Sequence, residues 1–397
     1  MHQANEQSYM KKIMRIILVF SIFLVLASCS RPTDDKQVIP VRQHIGNQPS
    51  TKLSDYAEDI YYIPLETPED LHLRGNERVA VTSEHIIIFG GQCYLFSKNG
   101  DFIRRIGSRG RGPGEYSTAS TGYFFPYNSN IYFPASRIKT VAYSLNNEYL
   151  EEINLPHNFV VHRNISDHLL AGYRMFHDGN ADWNIFVFDN NGDSVWVKEN
   201  KFRFSGVSEI TFYNEISFYY YDDKLHMKEL YSDTIYKFSH NGELSSKYSL
   251  DLGDYSFPPE LKEDFEQFLS ASSRKYFNVT NIYESARYLI FEYRFNRMNN
   301  IMICDKITGD IENFPLGDNN DGIVNDFDGG LPFLPEYNSN NLFVQLFNPF
   351  EIKDHVAGED FKNNSPKFPE KKKEFEKLAN SLDEYDNPVL MLVRMKE

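Results

Sequence analysis

Five strand–turn–strand segments of similar length, an aromatic content of 15% and a lone apolar strand near each end of the chain predict an all-β fold. The architecture they point to is a six-bladed β-propeller of four-stranded antiparallel blades, closed by pairing of its N- and C-terminal strands and carrying two helical insertions. The segments are residues 94–106, 141–153, 186–197, 235–248 and 301–314. Each holds a tight turn at Gly100, Asn147, Gly192, Gly242 or Gly309. Asn-Gly between alternating strands is a strong hairpin signal, because both central residues accept positive φ. The turns follow one another at about 45 to 50 residues, and once at 67, which matches the length of a four-stranded blade.

Each turn is read as joining the third and fourth strands of a blade, with two apolar runs before it. In the first blade these are residues 78–82 and 85–89; in later blades they include 159–165 with 169–174, and Tyr283 with 288–295. The 67-residue interval is explained by an insertion at 259–272, where Leu261, Phe265, Phe268 and Leu269 recur at helical spacing. A second helical stripe, Phe375, Leu378, Ala379 and Leu382, lies within 348–387. Both insertions are expected on the channel face, as a lid, a docking surface or packing against the rim. For a sixth blade the chain offers 327–337, 342–347 and the strand 388–395. The strand at 60–65 has no blade of its own, so it is expected to pair with 388–395 and hide the edges of an open stack. The body is expected to span 55–397.

The N-terminus reads as an address. Lys11, Lys12 and Arg15 precede the uncharged run 16–27, too short to span a membrane as a helix, and small residues follow. Residues 1–28 are therefore expected to be a signal peptide, with Met10-Lys11-Lys12 the more usual beginning. Leu26-Ala27-Ser28-Cys29 resembles a bacterial lipobox, in which Cys29 becomes the lipid-carrying first residue. Residues 29–54 then form a polar tether with prolines at 32, 40 and 49. The expected address is the cell envelope, as an outer-membrane lipoprotein held through its lipid, with periplasmic and surface display both open.

Composition narrows the partners. The formal net charge is -15, a poor match to nucleic acid. Cys93 and Cys304 both sit in apolar runs and are expected as buried thiols, with a disulfide between them as the alternative.

Several stretches are similar to a known family: Ile63-Pro-Leu-Glu-Thr67, Phe102-Ile-Arg-Arg-Ile-Gly-Ser-Arg-Gly-Arg-Gly-Pro-Gly-Glu-Tyr116, Tyr231-Ser-Asp-Thr-Ile-Tyr236, Asn325-Asp-Phe-Asp-Gly-Gly330 and Asp386-Asn-Pro-Val-Leu390. The chain resembles the six-bladed β-propeller lipoproteins of Gram-negative bacteria, related in architecture to NHL propellers. The resemblance implies fold and export, and carries over no catalytic residue.

Three loops are candidate sites. In Gly107–Tyr116, backbone N–H groups with Arg109, Arg111, Glu115 and Tyr116 suit an anion such as a carboxylate or sugar acid; the alternative is a self-satisfied turn in which Glu115 pairs an arginine. His177, Asp178 and Asp182 suit acid–base or metal work, or a solvated loop. The acidic loop 318–330 is rich in the oxygen ligands calcium takes but lacks EF-hand spacing, so no cofactor is assigned. His157 and His162 are expected to be structural. No nucleophile elbow, His-Glu-x-x-His or Cys-x-x-Cys is present. The expected function is a lipid-anchored binding or scaffold protein for a glycan, peptide or envelope partner. The alternative is a propeller hydrolase or lyase with a metal or a His/Tyr/Arg site in its channel.

Overall fold

The computed structural model describes residues 36–46, 52–175, 177–208, 210, 214–263, 266, 276–316 and 322–397. The signal segment, Cys29, residues 30–35 and 47–51 of the tether, Phe265, Phe268, Leu269 and residues 318–321 of the acidic loop lie outside the described residues. Of two compact units, Val38–Glu397 carries the fold.

Six antiparallel sheets are present, as predicted. Blade one is Arg78–Val81, His85–Phe89, Cys93–Ser97 and Phe102–Ile106. Blade two is Tyr123–Phe125, Asn130–Ser136, Lys139–Tyr143 and Tyr149–Asn154. Blade three is Val161–Asn164, Leu169–Tyr173, Trp183–Asp189 and Ser194–Glu199. Blade four is Ile216–Tyr221, Lys224–Glu229, Thr234–Phe238 and Leu244–Leu250, and its outer edge is extended at Ile39, whose carbonyl accepts the Asp251 N–H at 2.8 Å. Blade five is Asn278–Glu284, Tyr288–Phe295, Met298–Asp305 and Ile311–Pro315. The turns between third and fourth strands hold the expected backbone: φ is +93° at Gly100, +88° at Gly192, +87° at Gly242, +81° at Gly309 and +68° at Asn147.

Blade six closes the ring. Its order is Tyr337–Ser339, Leu342–Phe347, Val389–Met395, then Ala57–Pro64 from the other end of the chain. Ile60 stands opposite Val393 and Ile63 opposite Leu390. The first strand is shorter than the run 327–337 expected from sequence. Pro332 and Pro335 donate no N–H to a ladder, and Gly329 sits at φ +73°, so the chain before Tyr337 is a loop.

Because each blade is covered on both faces, its middle strands are apolar without alternation: Ile86, Ile87, Ile88 and Phe89 are all buried. One apolar cluster fills each interface. Phe89, Ile106 and Phe133 join blades one and two; Ile153, Phe159 and Phe188 join two and three. Val187, Met227 and Phe238 join three and four; Ile235, Phe291 and Met302 join four and five. Ile303, Phe343 and Val393 join five and six, and Leu390, Leu392 and Ile88 join six back to one. Outer strands instead carry charge, as in Arg104, Arg105 and Glu152, which discourages edge pairing.

Buried carboxylates cross these interfaces. Glu284 at the end of blade five accepts Lys247 of blade four at 2.9 Å, Lys306 at 2.9 Å, and the hydroxyls of Tyr219 and Tyr248 at 3.0 and 2.8 Å. Burial drives this carboxyl upward, but the charges of Lys247 and Lys306 outweigh that and hold it below its ordinary range. Glu229 of blade four accepts Lys198 of blade three at 2.7 Å and Asn184 at 2.6 Å.

The second insertion comprises helices Pro349–Ala357, Glu359–Asn363 and Pro369–Ser381. The expected stripe is real: Phe375, Ala379 and Leu382 are buried and Leu378 packs beside them. Phe375 lies 4.7 Å from the Tyr62 ring, so the stripe packs on the rim of blade six. Of the first insertion, the described part is a 3₁₀ turn, Pro259–Lys262, with Leu261 buried against Phe204 and Phe257. Cys93 and Cys304 are buried free thiols in blades one and five. No described helix is long and apolar enough to cross a membrane.

Two substitutions test this construction by chemical denaturation. Leu390→Ala, which hollows the closing blade, is expected to cost about 2–5 kcal/mol. Glu284→Gln, which strands two lysines between blades, is expected to cost about 3–5 kcal/mol. A loss under about 0.5 kcal/mol in either would contradict the role given to that residue.

Candidate functional site

The innermost strands surround a central cavity of about 450 Å³ to which every blade contributes. Arg78 and Ala80 come from blade one, Tyr123 from blade two, Arg163 from blade three, Ser217 and Tyr220 from blade four, Tyr283 from blade five and Tyr337 from blade six.

One side of the cavity is cationic. Arg163 lies 4.4 Å above the Tyr123 ring, and its Nη1 donates to the His162 carbonyl at 2.7 Å. Burial pulls its pKa below the usual range, while the nearby phenols of Tyr123 and Tyr220 favour the charge. Arg78 Nη1 donates to the carbonyls of Gly122 at 3.1 Å and Ser120 at 3.3 Å. Its side chain is exposed at the cavity wall; the protein packed around it, and then the charge of Arg163, lower its pKa to about 10. A guanidinium keeps its proton at neutral pH, so both side chains are cations. Among the described residues neither has a carboxylate within 4.0 Å.

The strands that carry these groups are tied together at Asn164. Its side-chain oxygen accepts the Tyr123 hydroxyl at 2.7 Å, and its carbonyl accepts the Tyr220 hydroxyl at 2.9 Å. Blades two, three and four are thereby locked around the arginine pair.

Two carboxyls also line the cavity, Glu215 and Glu336, and Glu292 lies near Glu336. Glu336 accepts the Leu346 N–H at 3.3 Å; burial, and then the negative charges of Glu292 and Glu351, push its pKa up to about 7. Glu292 accepts Asn281 Nδ2 at 2.7 Å and is also raised by burial. At the cavity rim, Glu215 is committed to Lys262 at 2.5 Å and to the Tyr173 hydroxyl.

The residues singled out from sequence fall elsewhere. Arg109, Arg111, Glu115, Tyr116, His177 and Asp178 do not line this cavity, although Met175 does. Tyr116 is fully buried, stacked 4.3 Å from Phe133, and donates to the Ile106 carbonyl at 2.9 Å. Glu115 accepts the Gly112 N–H at 2.6 Å, and Arg109 Nε donates to the Ser117 carbonyl at 3.1 Å, so the loop satisfies much of itself; Arg111 is exposed. His177 Nδ1 donates to the Ser208 carbonyl at 3.1 Å, Asp178 accepts the Asn180 N–H at 2.9 Å, and Asp182 lies 3.3 Å from Arg203. In the acidic loop, Asp326 caps Ser54 through the backbone at 2.9 Å and the hydroxyl at 2.7 Å, and Asp328 accepts the Gly330 N–H at 2.8 Å. Among the described residues no three His, Cys, Asp or Glu gather as a metal site. His162 hydrogen-bonds Thr140 at 2.5 Å, and burial, then the charge of Arg163, pull its pKa down to about 3; His157 packs 4.6 Å from Phe186.

Sequence reasoning missed Arg78, Arg163 and Glu336. The available signal was a charge in or beside an innermost strand: His162-Arg163-Asn164 is a polar break in one such run.

Known proteins agree with this fold. The sequence matches the profile described as Domain of unknown function (DUF4934) over residues 36–394, and the chain belongs to that family. A candidate exported protein of Bacteroides fragilis is similar in structure, with a TM-score of 0.66 and 18% identity, over 91% of this chain and 100% of that one. A member of the DUF4221 family from Bacteroides vulgatus is similar at 11% identity and a TM-score of 0.49, over 86% and 97%. No curated protein matches.

Glu336 sets a pH signature. Its folded pKa of about 7 lies above the ordinary 4.5, so between these values the folded chain holds more proton than the unfolded chain. Its contribution to stability is full below 4.5 and is lost as pH rises through about 7. Glu336→Gln is therefore expected to melt higher than wild type at about pH 8, with the gap closing by about pH 5. A gap that stays constant across the range would refute the assignment.

Proposed function

We propose that this DUF4934 propeller is an exported, lipid-anchored binding protein that takes its ligand in the central channel. The observation that carries the reading is the cavity itself. It has the volume of a small-molecule site, and polar groups from all six blades converge on it. Its tyrosines offer flat apolar faces with polar edges, which suit a sugar ring or a peptide side chain. A glycan or a peptide of an envelope partner is the ligand class that fits this lining. The helical insertion at 348–387 leaves the cavity free, since none of its residues lines it.

Export and anchoring rest on the basic start, the short apolar run and the Leu26-Ala27-Ser28-Cys29 box. The similar Bacteroides fragilis protein is described as exported, which supports export. With lipid on Cys29, the propeller stands on the outer membrane at the end of a polar tether.

A second reading, a hydrolase or lyase working in the channel, is favoured by Glu336. A carboxyl that titrates near neutrality moves protons well at physiological pH.

Ser217→Trp, which fills the channel from the innermost strand of blade four, tests the binding reading. Wild-type protein is screened on glycan and peptide arrays, and hits are titrated by calorimetry. The plugged variant, with an unchanged circular dichroism spectrum, is expected to lose the hits by at least about tenfold in affinity. Equal affinity in both proteins would place recognition outside the channel. Conversion of a hit to products by wild-type protein would turn the reading to an enzyme.

A further inference from the structure

We propose that Arg78 and Arg163 form an oxyanion subsite in the channel, so that the ligand carries a carboxylate, sulfate or phosphate group. This inference rests on the channel being the ligand site and names the chemistry it selects.

Two guanidiniums lining one cavity, Arg163 half-buried and Arg78 exposed at the cavity wall, repel each other, and that repulsion calls for compensation. Here the compensation within the protein is partial. Arg163 uses one carbonyl and the Tyr123 ring; Arg78 uses two carbonyls. Each guanidinium has five N–H donors in a planar fork, so most of them stay available to an oxyanion. Neither carboxyl of the lining pairs with them: Glu215 is held by Lys262, and Glu336, raised by burial, accepts the Leu346 N–H. Tyr123 and Tyr337 flank the two cations with neutral rings. The positive charge is therefore local and unspent, inside a chain whose formal net charge is -15. Such a chain repels extended polyanions at long range, while a small anion is screened until it reaches the cavity. The subsite thus suits one compact anionic group better than a polymer of them.

Selenate serves as a probe, because it is an oxyanion visible by anomalous scattering. Crystals of the full chain soaked in selenate are expected to show selenium in hydrogen-bond reach of both guanidiniums. In solution, selenate affinity is expected to fall at least tenfold in Arg78→Met and in Arg163→Met. It is expected to hold in Arg137→Met, an exposed arginine away from the cavity. Since Arg163 also rests on Tyr123, salt dependence gives a readout that needs no variant: wild-type affinity should fall steadily as sodium chloride is raised. Competition separates the sources of the anion. A galacturonate trisaccharide that displaces selenate, with its neutral galactose counterpart inert, assigns a carboxylated glycan; displacement by inorganic phosphate alone assigns a phosphate. Absence of selenium between the arginines, or affinity unchanged in both Met variants, overturns the subsite. An array hit that is lost in Ser217→Trp but unaffected in Arg78→Met and Arg163→Met also overturns it and leaves the channel reading intact. A hit indifferent to Ser217→Trp defeats the channel reading instead.

Discussion

Every feature of the channel depends on the pairing of Ala57–Pro64 with Val389–Met395. A stack of four-stranded sheets has two sticky ends, and each blade alone buries only half of its apolar surface. Joining the two ends of the chain inside one sheet makes the last interface like the others. Leu390 and Leu392 then face blade one with the same apolar packing that Phe89 and Phe133 provide between blades one and two. The closing strand is also pinned from outside. Tyr62 on it accepts Asn325 Nδ2 at 3.2 Å and packs on Phe375 of the long helix. The helical insertion therefore belongs to closure as much as to the face it occupies.

Apolar contact alone does not decide which blade meets which, because six similar faces are nearly interchangeable. The buried ions add that information. A carboxylate such as Glu284 is costly in an apolar interface unless Lys247, Lys306 and the two tyrosine hydroxyls arrive together. Only blade four brings Lys247, Tyr219 and Tyr248. Glu229 makes the same demand on Lys198 and Asn184 of blade three. Such pairs add little net stability against an apolar filling, yet a wrong neighbour leaves a charge unpaired. Geometry at the axis follows, since a blade out of register would displace the arginines by a full side chain.

How much of this was legible in the sequence follows from what each signal depends on. Hairpins were readable because Asn-Gly turns are local: φ at Gly100 is decided by its neighbours and its lack of a Cβ. Ring closure was readable because two strong strands had no local partner. The first strand of blade six was misjudged because apolar content in 327–337 outweighed its two prolines, and those residues instead pack as a loop with Phe327 and Phe333 buried. The site was the least legible part. Arg78, Tyr123, Arg163 and Tyr337 are separated by tens of residues or more and meet only because strand one of each blade faces the axis. A glycine- and arginine-rich loop such as Gly107–Tyr116 draws attention in a sequence, but its hydrogen-bonding capacity turns inward, with Glu115 on Gly112 and Tyr116 on Ile106.

The distribution of charge gives the axis its character. Along the interfaces, buried acids are matched with bases, so their fields cancel within a few ångströms. At the axis the matching fails: Arg78 and Arg163 have no acid paired with them, and burial raises the carboxyl of Glu336, which also lines the cavity. A protonated carboxyl is a hydrogen-bond donor, so below about pH 7 Glu336 adds a donor to the cavity and no charge. Above the Glu336 pKa that wall gains an anion and the complementarity to an acidic ligand weakens. The charge of the cavity wall thus follows the acidity of the surrounding medium, through the cost of burying a carboxylate that the single Leu346 N–H does not offset.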